Sequence, residues 1–105
     1  MTETCREELL QRITRNLLDI QLLRLVQAYP SIWGYCIKKK VETDFRIKLR
    51  HGALYPMLHS LERRGFLASG KQQESGRGRK VYTITGAGRE YLESYYGILR
   101  EQLGI

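Results

Sequence analysis

The chain has 105 residues and a formal net charge of +7, from 18 lysines and arginines against 11 acidic residues. Hydrophobic residues make up 42% and charged residues 28%, which excludes a disordered chain and fits one small globular core. No run approaches the ~18 apolar residues of a membrane span, the acidic N-terminus has no signal-peptide pattern, and Cys5 and Cys36 are too few to staple a scaffold. A single domain over 1–105 in the reducing cytoplasm, with no membrane contact, is therefore expected.

Thr4 and Glu7 have the spacing of a capping box. Apolar positions from Leu9 to Val26 then predict one long helix or two short ones over 4–28, with Asp19 as a restart point. Leu9, Ile13, Leu17 and Ile20 form one stripe; Leu18, Leu22 and Leu25 or Val26 form another. A small core needs only one of these, so the other is expected to meet a second subunit. Tyr29, Pro30 and Ser31 stop the helix. Residues 32–43 read as a second helix, with Ile32, Tyr35, Cys36 and Ile37 inward and Lys38 to Lys40 outward. The apolar–basic alternation from Phe45 to Leu49 suggests a short strand.

Leu54, Met57, Leu58 and Leu61 predict a third helix over 53–64, with Pro56 near its start and Gly65 as its C-cap. A hairpin over 66–85 follows, and its basic tip, Glu74 to Lys80, is read as a flexible loop in which Gly76 and Gly78 permit a tight conformation. Thr85 caps a last helix over 87–103, whose stripe is Tyr91, Leu92, Tyr95, Tyr96, Leu99 and Leu103. The fold class is thus mainly α with a small β-hairpin (α+β), in the order of a winged helix-turn-helix.

The charge is unevenly spread. Residues 1–37 hold four basic and four acidic residues, 38–50 hold six and two, 51–80 hold six and two, and 81–105 hold two and three. The whole excess falls on the second helix, the third helix and the wing, the parts that face DNA in helix-turn-helix docking.

Three motifs carry a family resemblance. Gly34, Tyr35 and Ile37 resemble a GYEI motif, with Cys36 in place of the acidic residue. The run Gly52 to Glu62, followed by Gly65, Phe66 and Leu67, resembles GTLYPLLHRLE. Arg79, Lys80, Tyr82, Ile84, Thr85 and Gly88 resemble RKYYRLTxxG. In this order and spacing the chain resembles the PadR-like transcriptional regulators from about Asn16 to Leu92, in their short C-terminal branch. The resemblance implies a homodimeric DNA-binding repressor whose first and last helices pair the subunits. Arg50 and His51 stand where the family often has Ser or Pro, which leaves the operator sequence open.

Lys38, Lys39, Lys40, Lys48 and Arg50 are candidate phosphate contacts, the alternative being a solvated helix face. Tyr55, with His51, His59 and Arg63, is expected on the outer side of the third helix, the alternative for Tyr55 being a core aromatic. Arg77, Arg79 and Lys80 suit the minor groove or backbone at the wing. Leu10, Leu18 and Leu22 on the first helix and Tyr91, Tyr95 and Leu99 on the last are the expected dimer interface. Partners are double-stranded DNA with a pseudo-palindromic operator and a second copy of the chain. Tyr29, Trp33 and Tyr35, or Tyr91, Tyr95 and Tyr96, have the aromatic character to wall a small flat aromatic effector, the alternative being ordinary packing. Cys5 and Cys36 read as inert or as a redox pair. No cofactor, metal spacing or catalytic motif is found, so an enzyme is not expected. The competing function is a nucleoid-coating or protein-interaction module without a specific operator.

Overall fold

The computed structural model describes residues 2–45, 51–74 and 77–105. Their elements are α1 (Glu3–Asn16), α2 (Leu18–Ala28), β1 (Ile32–Trp33), α3 (Gly34–Phe45), α4 (His51–Arg63), β2 (Leu67–Glu74), β3 (Arg77–Ile84) and α5 (Gly86–Leu103). The chain is mostly helical, with a small antiparallel sheet in the order β1-β3-β2.

The N-terminal segment forms two helices. Thr2, not Thr4, caps α1: its side chain accepts from the Cys5 N–H, so the expected capping box at Thr4 is replaced by a cap two residues earlier. Thr14 is fully buried and returns its hydroxyl to the Leu10 carbonyl at 2.8 Å, a bond that bends helices. The bend comes at Leu17 (φ −120°), whose N–H still reaches the Ile13 carbonyl. Asp19 takes the Ile20 N–H in the first turn of α2. That helix ends at Ala28, and Ser31 takes a left-handed φ of 60° in the turn that follows.

Residues 32 and 33 are a strand rather than the start of a helix: Ile32 pairs with Tyr82 and Trp33 with Val81, and α3 begins only at Gly34. A β-branched and an aromatic residue there gain ladder bonds on the open edge of β3, which one helical turn would not supply. Tyr35, expected inward, is 62% exposed, while Ile37 and Val41 carry the inward face of α3. Phe45 closes α3, and the rest of the expected strand up to Leu49 lies outside the described residues. β2 and β3 pair from Leu67↔Ile84 to Glu74↔Arg77, so 77–80 belong to the ladder and not to a loop. Gly78 sits opposite Gln73 in that ladder and has no left-handed backbone, and Gly76 lies outside the described residues.

The core is built on α2. Leu18, Leu22, Leu23 and Val26 meet Ile37 and Val41 of α3, Leu54, Leu58 and Leu61 of α4, Leu67, Tyr82 and Leu92. Pro56 stands inside α4, in its second turn, and the helix runs on to Arg63.

The end of α4 is closed by a left-handed Gly65 (φ 84°), with Gly65 N–H on the Glu62 carbonyl and Phe66 N–H on the Leu61 carbonyl, a Schellman arrangement. The same turn holds the far end of the hairpin. Thr85 N–H donates to the Phe66 carbonyl at 3.1 Å, and the Thr85 hydroxyl donates to the Gly65 carbonyl at 2.6 Å. That hydroxyl also accepts from the Gly88 N–H at 3.0 Å and so caps α5. A Cβ on Gly88 would run into the Phe66 carbonyl oxygen and come within 2.8 Å of Ile84 Cγ1. Gly88→Ala is therefore expected to destabilise the fold by about 3 kcal/mol. Gly86→Ala, where an added Cβ meets nothing, should stay within about 1 kcal/mol of the unaltered chain. Urea denaturation of both variants checks this, and equal midpoints would remove the close approach from the account.

Candidate nucleic-acid interface

α4 leans on β2, and the N-terminus of α3 reaches between α4 and β3. An open groove results, lined by Trp33, Gly34, Tyr35, Tyr55, His59, Arg79, Lys80 and Tyr82. It brings together four of the candidate DNA contacts: Tyr55 and His59 from α4, Arg79 and Lys80 from β3. Tyr55 answers to both of its readings. One edge of the ring stands 3.5 Å from where a Gly34 Cβ would be, yet the residue is 42% exposed. Arg63 is exposed at the end of α4, outside the groove lining. Lys48 and Arg50 lie outside the described residues, as do the side chains of His51 and Arg77.

The three lysines of α3 part company. Lys39 stands 5.6 Å over the exposed Tyr35 ring, on the groove side. Lys38 is half-buried. Lys40 turns away: its ammonium donates to the Tyr29 hydroxyl at 3.1 Å and lies 4.3 Å from that ring's centre. The Tyr29 hydrogen bond raises the Lys40 pKa above the ordinary lysine value. Lys40 thus serves the α2–β1 turn, apart from the groove.

Two partners hold the basic side chains of the wing, and sequence reasoning named neither for this role. Glu62, at the end of α4, accepts the Ser69 hydroxyl and faces Lys80 Nζ at 3.7 Å. Lys80 also lies 5.4 Å over the Tyr82 ring. Arg79 stacks on Trp33, its Cζ 3.8 Å from the ring centre. The indole N–H donates to Gln72 Oε1 at 3.3 Å. Glu62 was visible as an acidic residue inside a basic block, and Gln72 became a partner only through strand register. Among the described residues none that lines the groove is acidic, although Glu62 reaches Lys80 from beside it, and the rim is electrostatically suited to phosphate.

The aromatic group expected from Tyr29, Trp33 and Tyr35 does not form. Trp33 and Tyr35 line the groove, whereas Tyr29 lines a separate cleft of about 240 Å³ with Gln21, Arg24, Val41 and Asp44. Cys5 is exposed on α1 and Cys36 is half-buried on α3.

A second surface lies on α1 and α5. Leu9 (43%), Ile13 (46%), Ile98 (59%) and Leu103 (64%) are exposed apolar residues. Ile13 of α1, Leu17 at the bend, Ile20, Gln21 and Arg24 of α2, and Tyr96, Leu99 and Arg100 of α5 line a shallow groove. Of the expected interface residues, Leu18 and Leu22 are buried in the chain's own core and leave no surface for a partner. Leu10 turns towards Thr43 and Asp44 of α3. Tyr91 is stacked on Phe66 at 4.3 Å and takes an Arg64 hydrogen bond at 3.4 Å. Tyr91, Tyr95 and Leu99 all border a shallow apolar cleft beside Ile98. α2 and α5 pack together, and burial pushes the Tyr95 phenol up, with the Asp19 carboxylate of α2 adding to it.

The sequence model of the transcriptional regulator PadR-like family matches residues 22–94. Over 41 residues the chain is 51% identical to transcriptional regulator Rv3488 of Mycobacterium tuberculosis, a match covering 39% of this chain and 38% of that protein. Among solved structures, the protein TA0346 of Thermoplasma acidophilum is 26% identical with a TM-score of 0.75, covering 89% of each chain. A padr family transcriptional regulator of Eggerthella lenta is 25% identical with a TM-score of 0.72, covering 97% of this chain and 91% of that one.

Because Glu62 neutralises Lys80, Glu62→Gln should strengthen binding to any duplex and steepen its salt dependence by about one unit of slope. Titration of random duplex at several salt concentrations checks this. An unchanged slope would mean that Lys80 does not reach phosphate.

Proposed function

The chain belongs to the family of PadR-like transcriptional regulators, and on that premise we propose that it is a homodimeric repressor reading a pseudo-palindromic operator in double-stranded DNA. Members of the family are transcriptional regulators that bind DNA; they are not enzymes. The observation that carries the finer reading is the groove, where α4 and the wing bring Tyr55, His59, Arg79 and Lys80 to one rim. In this reading α4 enters the major groove, its outward side chains read base edges, and the wing and α3 cations grip phosphate. Lys38, Lys39, Lys48, Arg50, His51, Arg63 and Arg77 belong to the same proposed contact set.

Homodimerisation is supported by the exposed apolar residues of α1 and α5, which a second copy would remove from water. Two subunits related by a two-fold axis would present two α4 helices to half-sites about 34 Å apart, or a multiple of that. A flat aromatic effector would find apolar walls beside Tyr91, Tyr95 and Ile98, next to the proposed dimer seam. The proposed compartment is the cytoplasm; among the described residues no helix is long and apolar enough to cross a membrane.

Fluorescence anisotropy separates this function from a coating protein. Upstream DNA from the source genome and random duplex of equal length are compared at 50 and 200 mM salt. A repressor neutralising ~6–10 phosphates should lose roughly 10³–10⁵ in affinity between those salts and should prefer one upstream fragment strongly. Equal affinity for both DNAs would support the coating protein; no binding to either would support a protein-interaction module. The dimer is tested by Ile13→Glu, exposed in the single chain and so compatible with folding. Its sedimentation should be that of a monomer, with operator affinity reduced by about tenfold or more through loss of bivalency. A variant that stays dimeric would remove α1 from the interface.

A further inference from the structure

We propose that Trp33 is the positioning residue for the wing arginine Arg79, holding its guanidinium in a fixed place before DNA arrives. The inference rests on the DNA-binding reading above and deepens it.

β1 is only two residues long, and Trp33 is its second. Trp33 pairs with Val81 and Arg79 pairs with Gln72. Directly opposed residues share a face of an antiparallel sheet, as do residues two apart along a strand. Trp33, Val81, Arg79 and Gln72 therefore stand on one face. From there the indole reaches both strands of the wing. Its ring carries the Arg79 guanidinium at 3.8 Å, well inside cation–π range, and its N–H donates to Gln72 Oε1 at 3.3 Å.

The chemistry of the stack matters for what Arg79 can still do. A guanidinium stacked on a ring uses its flat face, while its N–H donors lie in the plane and point outwards. Those donors remain free for phosphate oxygens or minor-groove acceptors. An unsupported arginine would lose most of its rotamer freedom on docking; one already laid on an indole loses little. The other groove cation on β3 is held differently, by Glu62, which removes charge as it positions. Trp33 positions without neutralising.

Trp33 is the only tryptophan of the chain, so its emission reports on the surroundings of this one ring. The experiment is a double-mutant cycle of Trp33→Leu and Arg79→Ala, read by duplex affinity, together with Trp33 emission of the free protein. Arg79→Ala should change Trp33 emission without DNA. Trp33→Leu should weaken duplex binding by about three- to tenfold, and Trp33→Tyr, which keeps an aromatic face, should recover most of that. In the Arg79→Ala background, Trp33→Leu should change affinity by less than about twofold. A structural role for Trp33 would instead carry its full penalty into that background, and that result would overturn the proposal, as would a Trp33→Leu variant with unaltered affinity. If Trp33→Leu fails to fold, the emission change on Arg79→Ala and the affinity of Trp33→Tyr decide; silent emission overturns the stack. A wild-type chain that binds no duplex would overturn the DNA reading itself, and this inference with it.

Discussion

The carbonyls of Gly65 and Phe66 are where the functional parts of the chain are fastened together. Thr85 binds both, through its hydroxyl and its N–H, while capping α5 with the same hydroxyl. The approach is close enough that residue 88 has no room for a Cβ. Gly65 must be left-handed to end α4 there, and Phe66 must face back to offer its carbonyl. A few atoms thus fix α4, the root of the wing and the start of α5 relative to one another. If α4 and the wing read DNA and α5 meets a second subunit, the spacing between two DNA-reading helices in a dimer is set through this junction. The stack of Arg64, Phe66 and Tyr91 lies on the same spot and stiffens it from the outside.

The groove face follows a different rule. Its cations are not scattered on solvent-swept side chains but laid on rings: Lys39 on Tyr35, Arg79 on Trp33, Lys80 on Tyr82. An aromatic face lowers the freedom of a long cationic side chain while leaving its charge intact. Glu62 is the exception, an acid that ties Lys80 and Ser69 to the end of α4. It aligns helix and wing at the cost of some positive potential. The net charge of the middle of the chain therefore overstates what the groove presents, since Lys40 faces the other way.

The apolar residues of the first thirty positions are divided by the bend at Leu17. Before it, α1 buries only Thr14 and leaves Leu9 and Ile13 exposed; after it, α2 buries Leu18, Ile20, Leu22, Leu23 and Val26. With the bend there, α2 packs in the core while Ile13 and Leu17 border a groove beside Tyr96 and Leu99 of α5. The Thr14 back-bond, three residues upstream, supplies a physical cause for the bend.

Periodicity and cap chemistry determined much of this. The four predicted helical regions, the Thr85 cap, the Gly65 stop and the hairpin are local features, decided by residues within a turn or two of each other, and the structure has them. The three motifs also carried the family. What depended on partners distant in the chain was not legible. Ile32 and Trp33 are a strand because the edge of β3, far along the chain, is there to pair with. Of the two apolar stripes, sequence showed that both existed but not which of their residues the core would take. Leu18 and Leu22 went inside because α3, α4 and α5 close over α2, and no spacing rule within α2 contains that fact. The aromatic residues near Tyr29 likewise looked like one cluster. Tertiary structure separated them, sending Tyr29 to Lys40 and Trp33 to Arg79, because contacts between elements are set by packing and register rather than by nearness along the chain.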